Sequence, residues 1–137
     1  TSQKEVESIK SFGTNFGMAF QLVDDAIDYA STNDYLGKNI GDDFKEGKVT
    51  LPIILGYLRS NDKEKEFWNK TIVNLNQEKG DFIKAVKIML KYNCIEDTIQ
   101  RAHHFANVAM DSLGIFKKNQ YKTALINLIQ SSLKRLN

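Results

Sequence analysis

A single proline, Pro52, interrupts the 137 residues, and six of the eight glycines fall between Gly13 and Gly56. Proline fixes φ and removes a backbone donor, and glycine loses the most backbone entropy on ordering, so these two residues punctuate regular structure. Turn chemistry is therefore concentrated early, and the rest of the chain is free to be helix. The apolar residues agree. Ile9, Phe12, Phe16, Phe20, Val23 and Ile27 recur at three- and four-residue steps and make one helical stripe. Gly13 and Gly17 lie one turn apart on an adjacent line. Glycine inside a helix costs up to about 1 kcal/mol relative to alanine. The pair is expected to let something approach closely, a neighbouring helix before a ligand.

Residues 31–48 break the helical period and are rich in Gly, Asp, Asn and Lys, the composition of a loop. Thr50 is placed to cap the next helix, with Pro52 in its first turn, where a missing N–H has no intrahelical partner. Leu51, Ile54, Leu55 and Leu58 give that helix an apolar face. Phe67, Trp68, Ile72 and Leu75 form the next group, with Phe67 and Trp68 as core or interface residues. Phe82, Ile83, Val86 and Leu90 follow, capped by Gly80 or Asp81. Ile95, Ile99, Ala102, Phe105, Ala106, Ala109 and Leu113 make the longest stripe, ended by Gly114. Tyr121, Leu125, Leu128, Ile129 and Leu136 predict a last helix. No segment alternates cleanly enough for a strand. The fold class is all-α, an antiparallel helical bundle in one domain over residues 1–137. It comprises a helix over 1–30, a loop over 31–49 and C-terminal helices over 50–137.

Several function classes are disfavoured. The 19 basic and 17 acidic residues are interspersed, so nothing resembles the clustered positive charge of a nucleic-acid binder. Cys94 is the sole cysteine, which forbids an intrachain disulfide and fits a reducing, cytoplasmic compartment. No apolar run approaches the ~20 residues of a transmembrane helix, and Thr1 does not open a signal peptide. The chain starts without methionine in the middle of a helical pattern, so a piece of a longer protein is expected. His103 and His104 point about a hundred degrees apart on a helix and do not share an ion.

One helix carries a second stripe. Gln21, Asp24, Asp25 and Asp28 stand at i, i+3, i+4 and i+7 and share a face. Three carboxylates within five residues repel one another, and they lie near a helix C-terminus that already carries partial negative charge. Local rules broken twice in one place mark a functional site. A divalent cation relieves both penalties, and Mg2+ typically takes one or two carboxylates together with phosphates and waters. Lys38 and Lys48 lie in the loop that leaves this face, and an ammonium meets a phosphate as a point charge. Acids for a metal and lysines for the anion it bridges make a coherent diphosphate site.

The run from Gly17 to Pro52 resembles the second aspartate-rich motif of trans-type polyprenyl diphosphate synthases, and most closely their octaprenyl, long-chain branch. The family pattern GxxFQxxDDxxD, a glycine–lysine pair and GDDxxEGKxTLP is filled at nearly every position, by Phe20-Gln21, Asp24-Asp25, Asp28, Gly37-Lys38, Gly41-Asp42-Asp43, Glu46-Gly47-Lys48 and Thr50-Leu51-Pro52. The Ala-rich stretch from Ala102 to Ala109 and the basic Arg135 near the end are similar to the family's C-terminal part. The resemblance implies that Asp24 ligates Mg2+ on an allylic prenyl diphosphate, with Asp25 and Asp28 helping directly or through water. It implies that Phe20 and Gln21 line the allylic substrate's path and that Lys38 and Lys48 contact the diphosphate. Asp42 and Asp43 are left open, as organisers of the loop or of its water.

The implied reaction is ionisation of the allylic diphosphate followed by attack of isopentenyl diphosphate, lengthening a polyprenyl chain such as a quinone side chain, in an enzyme that dimerises. The family's other aspartate-rich motif is absent from the 137 residues, since no second DDxxD occurs. The chain is thus expected to be the C-terminal half of a synthase and inactive alone. The rival is a non-catalytic helical subunit of a heteromeric synthase, which need not keep the full set of carboxylates and lysines. Terpene-cyclising or head-to-head condensing relatives rank below both.

Overall fold

The structure is a computed structural model that describes residues 2–30 and 41–136. Lys38 and the Gly37 beside it lie outside the described residues. All regular structure among the described residues is helical: α1 (Gln3–Ala30), α2 (Asp42–Lys45), α3 (Leu51–Arg59), α4 (Asp62–Trp68) continued by a π-helical stretch (Asn69–Val73), α5 (Asp81–Lys91), α6 (Cys94–Ser112) and α7 (Gln120–Lys134). The segment read as a loop thus holds one helical turn, α2. The chain divides into two compact units. Thr1–Asp24 and Ile99–Asn137 form the first, and Asp25–Thr98 the second.

The first unit is held by Phe12, Ala19, Ala106, Ala109, Leu113 and Ile129, with Phe16 and Phe105 packed against them. Ala106 and Ala109 are wholly buried, and their small side chains leave room for the phenylalanines of α1. Phe12, Phe16 and Phe20 stack in sequence, with centroids 5.8 and 6.3 Å apart. The Ser11 and Ser112 hydroxyls meet at 2.7 Å. The helix α7 begins at Asn119, whose side chain accepts the N–H groups of Tyr121 and Lys122. The close approach expected at Gly13 and Gly17 is not found. A Cβ built on either meets nothing within 4 Å, and both lie exposed on a line that also exposes Ile9 and Phe20. These glycines weaken α1 without admitting a described neighbour, because the core of this unit takes the face of α1 that holds Phe12 and Ala19.

In the second unit the centre is Trp68, 1% exposed. Its Nε1 donates to Ser60 Oγ at 3.0 Å, and that hydroxyl donates on to the Gly56 carbonyl. Gly56 lies under the indole, where a Cβ would stand 3.1 Å from Cζ2. Thr50 occupies the N-cap of α3 as read, but its side chain makes no capping bond. Gly80 occupies the N-cap of α5 in a left-handed conformation, also without a side-chain cap. The buried face of α5 differs from the one read from the sequence. Ala85, Ile88 and Met89 are buried, whereas Ile83 and Leu90 are 61% and 62% exposed. Adjacent apolar residues let two faces be drawn on this helix, and packing within the unit selects one of them.

The helix α4 opens with a capping box. Asn61 Oδ1 accepts the Glu64 N–H and Glu64 Oε1 accepts the Asn61 N–H, both at 2.9 Å. Glu64 also accepts the Tyr92 hydroxyl at 2.6 Å and the Lys91 ammonium at 3.0 Å. The Tyr92 bond leads, followed by the Asn61 N–H and Lys91, in holding the Glu64 carboxyl down to about 2. A depressed carboxyl stabilises the fold above its ordinary value of 4.5, and that stability is lost as pH falls toward about 2. Glu64→Gln is therefore expected to cost about 1–2 kcal/mol at neutral pH. In urea unfolding, the gap between the two proteins should narrow as pH falls below 4.5. A gap independent of pH there would contradict this account of Glu64.

Candidate functional site

The helix α1 carries Gln21, Asp24, Asp25 and Asp28 without interruption, but their surroundings differ. Gln21 is exposed and Asp24 half-buried, whereas Asp25 and Asp28 are 5% and 1% exposed. In the first unit, Arg135 closes the last turn of α7 and donates from Nη2 to Asp24 Oδ1 at 3.4 Å. Its guanidinium lies over the exposed Phe20 ring, 5.5 Å from the centroid. A carboxylate, a ring face and a cation thus meet at this end of α7.

In the second unit, Asp28 Oδ2 accepts the backbone N–H of Asp43 at 3.0 Å. That donor sits in the first turn of α2, whose N-cap, Gly41, has no side chain to offer. The Asp28 carboxylate supplies the missing acceptor from elsewhere in the chain. Gly41 has φ +87°, and a Cβ there would press the Phe82 ring at 3.1 Å. Phe82 in turn lies 6.0 Å from Tyr29 and 5.9 Å from Phe44. The other end of α2 is a Schellman turn: Gly47 donates to Phe44 O at 3.0 Å and Lys48 to Asp43 O at 2.8 Å. Asp28 therefore anchors a turn of helix that ends by presenting the exposed side chain of Lys48.

The interior beside Asp28 is strongly negative. Burial raises the Tyr29 hydroxyl far above its ordinary value, and the charges of Asp28, Asp43 and Asp25 raise it further. Nearby Thr50 offsets part of that rise, although neither hydroxyl attains hydrogen-bond geometry. Asp43 Oδ2 is likewise buried without a hydrogen bond among the described residues. Asp42 is half-buried. Of the two aspartates left open by the sequence, Asp43 is the one whose N–H meets Asp28 and whose side chain is buried.

These carboxylate oxygens are the donors a hard divalent cation prefers, so the residues present fit Mg2+. Among the described residues no three acidic, histidine or cysteine side chains cluster closely enough to hold a metal together. Asp24 is the carboxylate that solvent can reach, while one oxygen of Asp28 is committed to Asp43. The link from Asp28 to Asp43 was not read from the sequence. The capless glycine at the start of α2 is the signal that points to it.

Gly47 is the least replaceable residue of this turn. Its φ is +67°, and a Cβ would lie 2.5 Å from Leu75 Cδ2 and 3.0 Å from the Ile72 carbonyl. Gly47→Ala is expected to cost about 1–3 kcal/mol and to displace Lys48. Chemical denaturation checks the first effect. A shifted Lys48 backbone amide resonance checks the second.

A family model described as polyprenyl synthetase matches residues 1–89. Octaprenyl diphosphate synthase of Haemophilus influenzae is 31% identical over 134 residues, which is 98% of this chain and 40% of that protein. The Escherichia coli octaprenyl diphosphate synthase is 31% identical over 132 residues, 96% of this chain and 41% of that protein. Among solved structures, a decaprenyl diphosphate synthase from Rhodobacter capsulatus superposes with a TM-score of 0.92 at 30% identity, covering all of this chain and 42% of its own. A polyprenyl synthase from Caulobacter crescentus, complexed with calcium and isoprenyl diphosphate, superposes with a TM-score of 0.87 at 36% identity, over all of this chain and 41% of its own. The chain thus spans about 40% of the length of the relatives it matches.

Proposed function

The chain belongs to the polyprenyl synthetase family, and from that premise we propose that it forms part of a trans-prenyltransferase that lengthens an allylic prenyl diphosphate with isopentenyl diphosphate. Magnesium, when bound, supplies positive charge to the diphosphate leaving group as the allylic C–O bond breaks. The chain's own residues do the rest. Asp24 would hold the metal, with Asp25 and Asp28 helping directly or through water. Asp28 fixes α2, and α2 delivers Lys48 to the diphosphate, where Lys38 joins it. Ammonium groups held beside a leaving diphosphate stabilise its charge as it develops. Phe20 and Gln21 line the path of the allylic tail.

The observation that carries this reading is the division of labour among the three aspartates. One is open to solvent and paired with a cation, and the two behind it are buried. A merely acidic helix end would expose all three. The reading extends to a cytoplasmic homodimer whose other metal-binding carboxylates lie outside these 137 residues. No described helix is long and apolar enough to cross a membrane, which is compatible with that location.

The test is an assay of the full-length protein with an allylic diphosphate, isopentenyl diphosphate and Mg2+. A longer polyprenyl diphosphate should accumulate, a chelator should abolish it, and residues 1–137 alone should make none. A full-length protein that binds a second synthase chain yet makes no product under any metal favours the non-catalytic subunit instead.

A further inference from the structure

We propose that Arg135 is a built-in counter-cation for Asp24, which an incoming divalent metal must displace, so that the end of α7 responds to loading of the site. The inference rests on the reading of Asp24 as a metal ligand. Its structural basis is separate: the guanidinium is 3.4 Å from Asp24 Oδ1 and stacked over Phe20 at 5.5 Å.

Three physical features make this contact a latch rather than a strut. First, the pair is accessible. The side chains of Arg135 and Asp24 are 29% and 31% exposed, so water and ions reach both, and such a pair is weak enough to exchange. Second, the two cations compete. A guanidinium has no lone pair and cannot join the coordination sphere of a metal, and a dication placed on Asp24 repels it. Third, the cost of release is local. Arg135 is the C-cap residue of α7, so its side chain can swing away without breaking the body of that helix.

Displacement does two things together. It removes the guanidinium from Asp24 Oδ1, and it uncovers the face of Phe20 that the guanidinium had covered. In the free protein the pair neutralises an acid close to two other carboxylates of α1, which lowers the penalty of keeping the site preformed. Arg135 is therefore a positioning residue that sets how readily the metal binds.

The experiment measures divalent-metal affinity directly on the full-length protein, with no diphosphate present. Manganese serves as the probe, because it takes the same oxygen ligands as magnesium and its free fraction is read by electron paramagnetic resonance. Arg135→Gln is expected to bind Mn2+ about three- to fivefold more tightly than wild type, the factor that release of a half-exposed ion pair returns. Arg135→Lys should stay near wild type, because it keeps the charge. The gap should shrink in high salt. In thermal unfolding, Arg135→Gln should gain more from Mn2+ than wild type does, a difference that a purely structural arginine would not produce.

Asp24→Asn separates the two ideas. If Asp24→Asn weakens Mn2+ binding but Arg135→Gln leaves it unchanged or weaker, the counter-cation is wrong and the metal ligand stands. If Asp24→Asn leaves binding unchanged, or no Asp24-dependent binding exists in any variant, the metal reading falls and the counter-cation with it.

Discussion

Asp24→Asn in the full-length protein is expected to lower kcat by at least about a thousandfold, at the upper end of what removing one preplaced electrostatic contact to a developing anion costs. The fold should hardly notice. Asp24 is half-exposed, and it pairs with an arginine of similar exposure, so the pair is worth about 1 kcal/mol or less to stability. Asp28→Ala should behave differently. It strips the Asp43 N–H of its acceptor in a buried place, which costs about 1–3 kcal/mol. It should also blunt turnover by loosening α2 and Lys48. Thermal unfolding and steady-state kinetics on the two variants separate these roles. Retention of more than a tenth of wild-type turnover by Asp24→Asn would overturn its assignment as the metal-holding carboxylate.

Trp68→Ala should be the most destabilising single change among the described residues. Removing a wholly buried indole leaves a large cavity and costs about 3–5 kcal/mol. A domain's entire margin is only about 5–15 kcal/mol. Trp68→Phe keeps much of the volume but leaves the Ser60 hydroxyl without its indole donor, so its cost should fall near 1–2 kcal/mol. Urea denaturation followed by far-ultraviolet circular dichroism orders the three proteins. Equal midpoints for Trp68→Ala and wild type would show that Trp68 is not the centre of that unit.

Most of the helices were legible from the chain alone, because the pattern that makes a helix bury one face is local. Phe12, Phe16 and Val23 betray α1, and Ala102, Ala106 and Ala109 betray α6, by their spacing. Gly114 lies in the turn that follows α6. The aspartate cluster was legible for the same reason: like charges one turn apart violate a local rule wherever the chain goes. The face of α5 was not legible. Phe82, Ile83, Val86 and Leu90 fit a stripe as well as Ala85, Ile88 and Met89 do, and only the neighbours packed against them choose. At Gly13 and Gly17 no described atom takes up the room, since glycine permits close approach but does not supply the partner.

Sequence by itself therefore determined the helical class, the positions of most breaks and the existence of one acidic, lysine-flanked motif. Each of these follows from interactions between residues a turn or less apart. Tertiary structure alone decided which aspartate faces solvent, which one holds the Asp43 N–H, and that Arg135 returns across 111 positions to meet Asp24. Those outcomes depend on burial and on partners distant in the chain. An aspartate's chemistry is set by what surrounds its oxygens, and spacing along a helix says nothing of that.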